Sequence, residues 1–380
     1  MITNTKRNKP ENQSDEKQYQ QLLPGLPDHL AQICLFHVKN PSLLFSICHS
    51  WRSLIYSPSF PPFLSLYALL SPKNQTHNSE LSNSIQFSSF DPISSSWIPL
   101  PPIPPNPLLI PPLHLRHPSF LSRQLPIQSV TVSDHLILLA GTTDNLRPAL
   151  SHPLIFHPLS NQWRFGPQIT NPRRWCVAGS VGGAVYIASG VGSHYNRKVA
   201  QSAERLFLER ESEIFRERKW EKVCSLKDGR FSREAVEAVG WRGKLCMVNV
   251  KGNAVKEGVI YDVVKDLWEE MPQGILIGWN GPAASMDEDE IYAVDERKGM
   301  LRKYNLEFDF WEDVFESTNL KGAVQITARG GKVCVVGAGG NEIVVIDVVA
   351  KPVKMWVLEP PPEFQVVAIH VLQRLSKPEF

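Results

Sequence analysis

The 380-residue chain reads as a small all-α segment of three short helices followed by an all-β propeller of about six four-stranded blades. Three observations predict this. Apolar residues between Leu22 and Phe60 recur at helical steps. Further on, an aromatic residue is followed seven positions later by tryptophan four times, as Phe90/Trp97, Phe156/Trp163, Tyr261/Trp268 and Tyr304/Trp311. A polar turn leading into a short apolar strand also recurs, at Asp134, Gly182, Arg242, Glu288 and Gly330. A strand-and-turn unit repeated in this way marks an architecture in which each unit buries its faces against its neighbours.

Residues 1–21 are polar, with no apolar core, and read as a disordered tail rather than a signal or anchor segment. At Pro27 and Asp28 a fixed φ and a negative charge favour a helix start, and Leu30, Ile33 and Leu35 give that helix an apolar side. Asn40 before Pro41 is a second start signal. From there Leu43, Ile47, Trp51 and Leu54 recur at steps of four, four and three, and Ser57-Pro58 resets the chain into a third short turn.

Leu26-Pro27-Asp28, Pro41-Ser42-Leu43-Leu44, Cys48-His49-Ser50-Trp51-Arg52-Ser53-Leu54-Ile55 and Ser57-Pro58-Ser59-Phe60 together resemble an F-box. The resemblance covers residues 22–62. It implies docking onto a Skp-type adaptor, and through it onto the cullin and RING subunits of a ubiquitin ligase. Leu26, Pro27, Leu30, Ile33, Leu43, Leu44, Ile47 and Trp51 would form the adaptor contact. Size points the same way, because so short a segment buries too little surface to be stable alone and carries more leucine than its own core needs. The plainer reading is a helical hairpin packed on the following domain.

Each aromatic pair in residues 63–372 flanks a turn, for example Asp262-Val263-Val264-Lys265-Asp266. A hairpin with that loop length places both rings on one face of a two-stranded ribbon, where they can stack against a neighbouring unit. Two copies are stretched, Phe207 with Trp220 and Ile346 with Trp356. Gly182-Gly183-Ala184-Val185-Tyr186 and Gly330-Gly331-Lys332-Val333-Cys334 show the glycine turn, and with the later tryptophans they resemble kelch repeats. About 310 residues over six units gives about 52 each, near the kelch period. The resemblance implies a six-bladed kelch propeller.

The first unit lacks an innermost strand, having Leu64 to Leu70, Ile85 to Phe90 and the Trp97 strand, while Phe364 to Leu372 is a surplus strand. Pairing the two closes the ring and removes exposed edges. Residues 73–126, first Ser/Asn-rich and then Pro-rich, read as a linker, with binding of a small proline-reading domain as the alternative. Residues 204–222 read as a strand, a charged loop and the Trp220 strand rather than a solvated helix. Residues 373–380 form a C-terminal tail.

A net charge of +2 argues against nucleic acid or an anionic membrane as a partner, and no apolar run approaches the length of a membrane helix. Six cysteines with no CxxC pair predict reduced thiols and a location in the nucleus or cytoplasm.

No catalytic constellation emerges, and no cofactor or metal is expected. Val333 to Gly340 imitates a dinucleotide loop, but Glu342 holds the third glycine position and only 38 residues follow it. His114 and His117 lack nearby acidic or thiol ligands. A kelch strand order would instead gather the loops between blades, and those after each second strand, on one side. That side would present Arg147, Arg173, Arg174, Trp175, Tyr195, Arg230, Trp279 and Arg297. Arginine and aromatic residues suit a protein target with an acidic or phosphorylated degron, met first by Arg173, Arg174 and Trp175. The alternative is that these loops are simply polar and that Trp175 packs between blades. The resemblance across both segments implies a non-catalytic substrate receptor of an SCF ubiquitin ligase, or else a kelch scaffold acting outside any ligase.

Overall fold

Helix α1 (Asp28–Phe36) starts where expected, with Pro27 as an extended N-cap and Asp28 in the first turn, its carboxylate accepting from the Leu22 N–H at 3.1 Å. The computed structural model describes residues 22–38, 41–57, 59–61, 63–73, 85–104, 127–142, 147–208, 219–232, 236–249 and 256–375. The N-terminal tail, most of the Ser/Pro-rich linker, the charged loop after Leu208 and the end of the C-terminal tail lie outside these residues. The chain divides into two units, one running to Pro61 and the other spanning Pro62–Ser376.

In the first unit the periodic stretch from Leu43 to Leu54 is not one helix. Cys48 is extended, at φ −154°, and separates α2 (Pro41–Phe45) from α3 (His49–Tyr56). The Arg52 guanidinium reaches back to the Phe45 carbonyl, and Phe45 packs edge-on against Tyr56. Ala31, Leu35, Leu44, Leu54, Ile55 and Phe60 are buried, with the Phe36 and Phe60 rings crossing at 5.4 Å. Among the described residues no helix is long and apolar enough to cross a membrane.

The second unit holds six four-stranded sheets. Blade 1 combines β1 (Leu64–Pro72), β2 (Gln86–Asp91) and β3 (Ser96–Pro99) with β24 (Phe364–Gln373) from the far end of the chain, in the order β24-β1-β2-β3. The surplus strand is thus the missing innermost one, pairing Leu66 with Val371 and Ala68 with Ile369. The remaining blades run from the inside outward. Blade 2 is β4 (Ile127–Val132), β5 (His135–Gly141), β6 (Leu154–His157) and β7 (Gln162–Phe165). Blade 3 is β8 (Val177–Val181), β9 (Ala184–Ala188), β10 (Ala203–Phe207) and β11 (Glu221–Val223). Blade 4 is β12 (Val236–Trp241), β13 (Lys244–Asn249), β14 (Gly258–Asp262) and β15 (Leu267–Glu270). Blade 5 is β16 (Ala283–Met286), β17 (Glu290–Asp295), β18 (Met300–Asn305) and β19 (Phe310–Glu316). Blade 6 is β20 (Gln325–Arg329), β21 (Lys332–Val336), β22 (Ile343–Asp347) and β23 (Lys354–Leu358).

The hairpin turns explain the repeat. Between the first and second strands of blades 2, 3, 4 and 6 lie Ser133-Asp134, Gly182-Gly183, Arg242-Gly243 and Gly330-Gly331, all at positive φ, as a two-residue turn matched to strand twist requires. Between the outer strands, Asp91, Asp262 and Asn305 cap their own turns by accepting backbone N–H groups two or three residues on. The last turn residue, Ser95, Asn161, Asp266 or Asp309, takes positive φ. Four turn residues between paired ends put each aromatic directly opposite its tryptophan: Phe90 and Trp97, Phe156 and Trp163, Tyr261 and Trp268, Tyr304 and Trp311.

Those tryptophans also latch neighbouring blades. The indole N–H of Trp163, Trp220, Trp268 and Trp311 donates to Pro101, Pro167, Cys224 and Gly274, each in the chain leaving the preceding blade. Trp97 closes the ring by donating to the Glu359 carbonyl beyond blade 6. The two stretched pairs are not pairs. Trp220 shares a core with Leu206, while Phe207 packs on the other side of the blade. Trp356 lies opposite Val345, one residue out of register, which turns it to the other face and leaves it 39% exposed. Replacing Trp268 by Phe keeps the ring but strands the Cys224 carbonyl, and is expected to cost about 1–2 kcal/mol in urea unfolding. Trp356→Phe is expected to change stability by less than about 0.5 kcal/mol.

Candidate functional site

Two surfaces are candidates, one on each unit. On the helical unit Leu30, Ile33, Leu43 and Ile47 are 42%, 52%, 59% and 58% exposed, although the unit has buried apolar residues besides them. Pro27 is exposed and Leu26 half-buried, bridged to Leu23. One residue expected on this surface, Leu44, serves the interior instead, and Trp51 is tied into the unit at half burial. Leu44 is 2% exposed, and the half-buried Trp51 donates its indole N–H to the Leu22 carbonyl at 2.7 Å. The periodicity that flagged them reports a helix face but not which side of a hairpin the face meets.

On the propeller, the expected residues do sit on loops at one end of the sheets. Arg147 follows β5; Arg173, Arg174 and Trp175 follow β7; Tyr195 follows β9 and Arg230 follows β11. Trp279 follows β15 and Arg297 follows β17. Antiparallel strands place the exits of second and fourth strands together. Burial then sorts the set. Arg147, Tyr195, Arg230 and Arg297 are exposed, Trp175 is half-buried and Arg174 is 9% exposed.

Arg173 and Trp279 require correction as face residues. Arg173 is 2% exposed and pairs with the buried Glu204 carboxylate. It also donates to Ser202 Oγ at 2.8 Å, the Ser189 carbonyl at 3.2 Å and the Asn171 carbonyl at 3.0 Å. It stitches the linker before blade 3 to that blade's interior. Trp279, fully buried, closes helix α4 (Gln273–Gly278) and points its indole at Glu237, whose carboxylate also accepts from the Ala283 N–H. Both are loop residues by position and core residues by packing.

The inner strands surround a channel of about 470 Å³, lined by β4, β8, β12, β16, β20 and β24 together with Trp175 and Cys176. Ser129, Thr131, Ser180, Glu237, Gln325, Thr327 and His370 are among its polar groups. Ser129 Oγ lies 2.8 Å from His370 Nε2, and burial pushes the His370 pKa down to about 4, so the imidazole is neutral at physiological pH. This lining is not legible in the sequence, because single polar residues in short apolar strands carry no spacing that separates a channel wall from a blade interface. The Cys176, Cys246 and Cys334 thiols are buried, which raises each pKa to about 12 and keeps them protonated. Among the described residues no three His, Cys, Asp or Glu side chains are placed to share a metal ion.

An F-box-like helical unit with an exposed apolar face, followed by a six-bladed kelch-type propeller, defines a class of interaction proteins. The chain is 51% identical over 366 residues to the F-box/kelch-repeat protein SKIP25 of Arabidopsis thaliana, covering 94% of this chain and 91% of that protein. It is 24% identical over 290 residues to the Arabidopsis F-box protein AFR, covering 73% of this chain and 69% of that protein. The chain belongs to the F-box/kelch-repeat proteins of plants. No protein-family model matches it.

Proposed function

We propose that the chain is the substrate-recognition subunit of a Skp–cullin–F-box ubiquitin ligase, acting in the nucleus or cytoplasm. The observation that carries this reading is the set of exposed leucines and isoleucines on a unit that has buried apolar residues besides them. Each of these side chains is about half exposed, so burying it against an adaptor adds about 1–1.5 kcal/mol, and the four together contribute a few kcal/mol toward docking. The propeller's loop end holds the target, and an acidic or phosphorylated degron suits its arginines. The role is non-catalytic: adaptor and target are held by one chain, which raises the local concentration of target lysines at the loaded ubiquitin carrier.

The competing reading, a scaffold outside any ligase, draws support from the propeller alone. Tagged full-length chain purified from cells is expected to bring down cullin and RING subunits together with the adaptor. Recovery of adaptor without cullin would favour the scaffold.

A further inference from the structure

The loop end carries five expected arginines, but their chemistry is mostly committed. Arg173 is tied to Glu204, and Arg230 pairs with Glu257 at 3.0 Å and Asp228 at 3.5 Å. Arg147 and Arg297 also have interactions within the chain.

Arg174 differs. It is 9% exposed, and its Nε and Nη1 are buried with no hydrogen-bond partner among the described residues. Its backbone is locked to Val191 by reciprocal bonds of 2.8 and 2.9 Å, and its guanidinium carbon lies 4.0 Å from the centre of the Trp175 ring. Trp175 in turn holds φ at +54°, a conformation costly for a bulky residue, and lines the central channel. A buried N–H without an acceptor forfeits its solvation, and more so on a charged group. Among the described residues the Trp175 ring is the contact made by the Arg174 guanidinium, and it accepts none of the buried N–H groups as a hydrogen bond would.

The channel beside them supplies the other half of the site. Among its described lining residues Glu237 is the one charged group, and the rest of its polar lining is neutral hydroxyl, amide and imidazole. A phosphate carries about −1.5 to −2 charge and calls for several cationic donors. One guanidinium near a carboxylate does not provide them, whereas a carboxylate matches a single guanidinium edge.

We propose that Arg174, stacked on the channel-lining Trp175, receives a single carboxylate of the target, with the remainder of that residue entering the channel. This rests on the receptor reading and narrows it from an acidic or phosphorylated group to a carboxylate. The source is an aspartate or glutamate side chain or a chain terminus.

The test is a titration of the purified full-length chain, followed by tryptophan fluorescence and melting temperature. The probes are N-acetyl-aspartic acid α-amide, N-acetylglycine, the neutral N-acetyl-asparagine α-amide and inorganic phosphate. A saturable response to either carboxylate, absent for the neutral amide and for phosphate, is expected, and the tighter of the two identifies the source. Arg174→Met should weaken that response at least tenfold. Without probe, the same variant should melt at or above the wild-type temperature, because it removes an unpaired buried charge. A purely structural Arg174 would give a lower melting temperature and an unchanged response, and that result overturns the proposal. So does a response to phosphate in place of carboxylate. The titration does not involve the adaptor, so loss of the ligase reading would show in co-purification and leave this result standing.

Discussion

Exchanging Leu43 and Ile47 together for aspartate is expected to weaken adaptor binding by at least about a hundredfold, because two anchors with about 1–1.5 kcal/mol each to gain from burial are lost and charge enters an apolar contact. Both side chains are more than half exposed, so the unit loses little of its own packing. The melting transition of the propeller should stay where it is. Titration calorimetry with purified adaptor reads the first effect and scanning calorimetry the second. Unchanged affinity would mean that the adaptor sits elsewhere.

Arg173→Met is expected to destabilise the propeller by about 3–5 kcal/mol, since it leaves a buried carboxylate uncompensated. Both partners are 1% exposed, so water cannot take over the solvation of Glu204. Arg230→Met, at an exposed pair, should change stability by less than about 0.5 kcal/mol. Urea unfolding of the two variants separates an interior arginine from a surface one. A stable Arg173→Met protein with impaired target capture would return Arg173 to the binding face.

How legible the molecule was in its sequence follows from what each signal encodes. The seven-residue spacing of Tyr304 and Trp311 is local geometry: a four-residue turn closes the hairpin and sets the two rings opposite each other. The surplus strand was legible because an edge must be paired, and Phe364–Gln373 does pair with β1. Register inside irregular hairpins was not. The longer turn after Asp347 shifts Trp356 by one residue, and composition carries no trace of that shift.

The candidate site was legible by address and not by orientation. Loop order placed Arg173 and Trp279 at the right end of the sheets, but whether a loop arginine faces solvent depends on what lies beneath it. Here that is Glu204, 31 residues away. The signal available was Glu204 itself, a charged residue at a buried position of β10 that calls for a buried partner. In the helical unit the same limit applies: Leu43 and Leu44 are adjacent and equally apolar, yet one is 59% exposed and the other 2%.

The most direct test of the central claim is co-expression of the full-length chain with a Skp-type adaptor, followed by gel filtration. The account predicts a soluble one-to-one complex. A chain that elutes alone with every adaptor tried would contradict it.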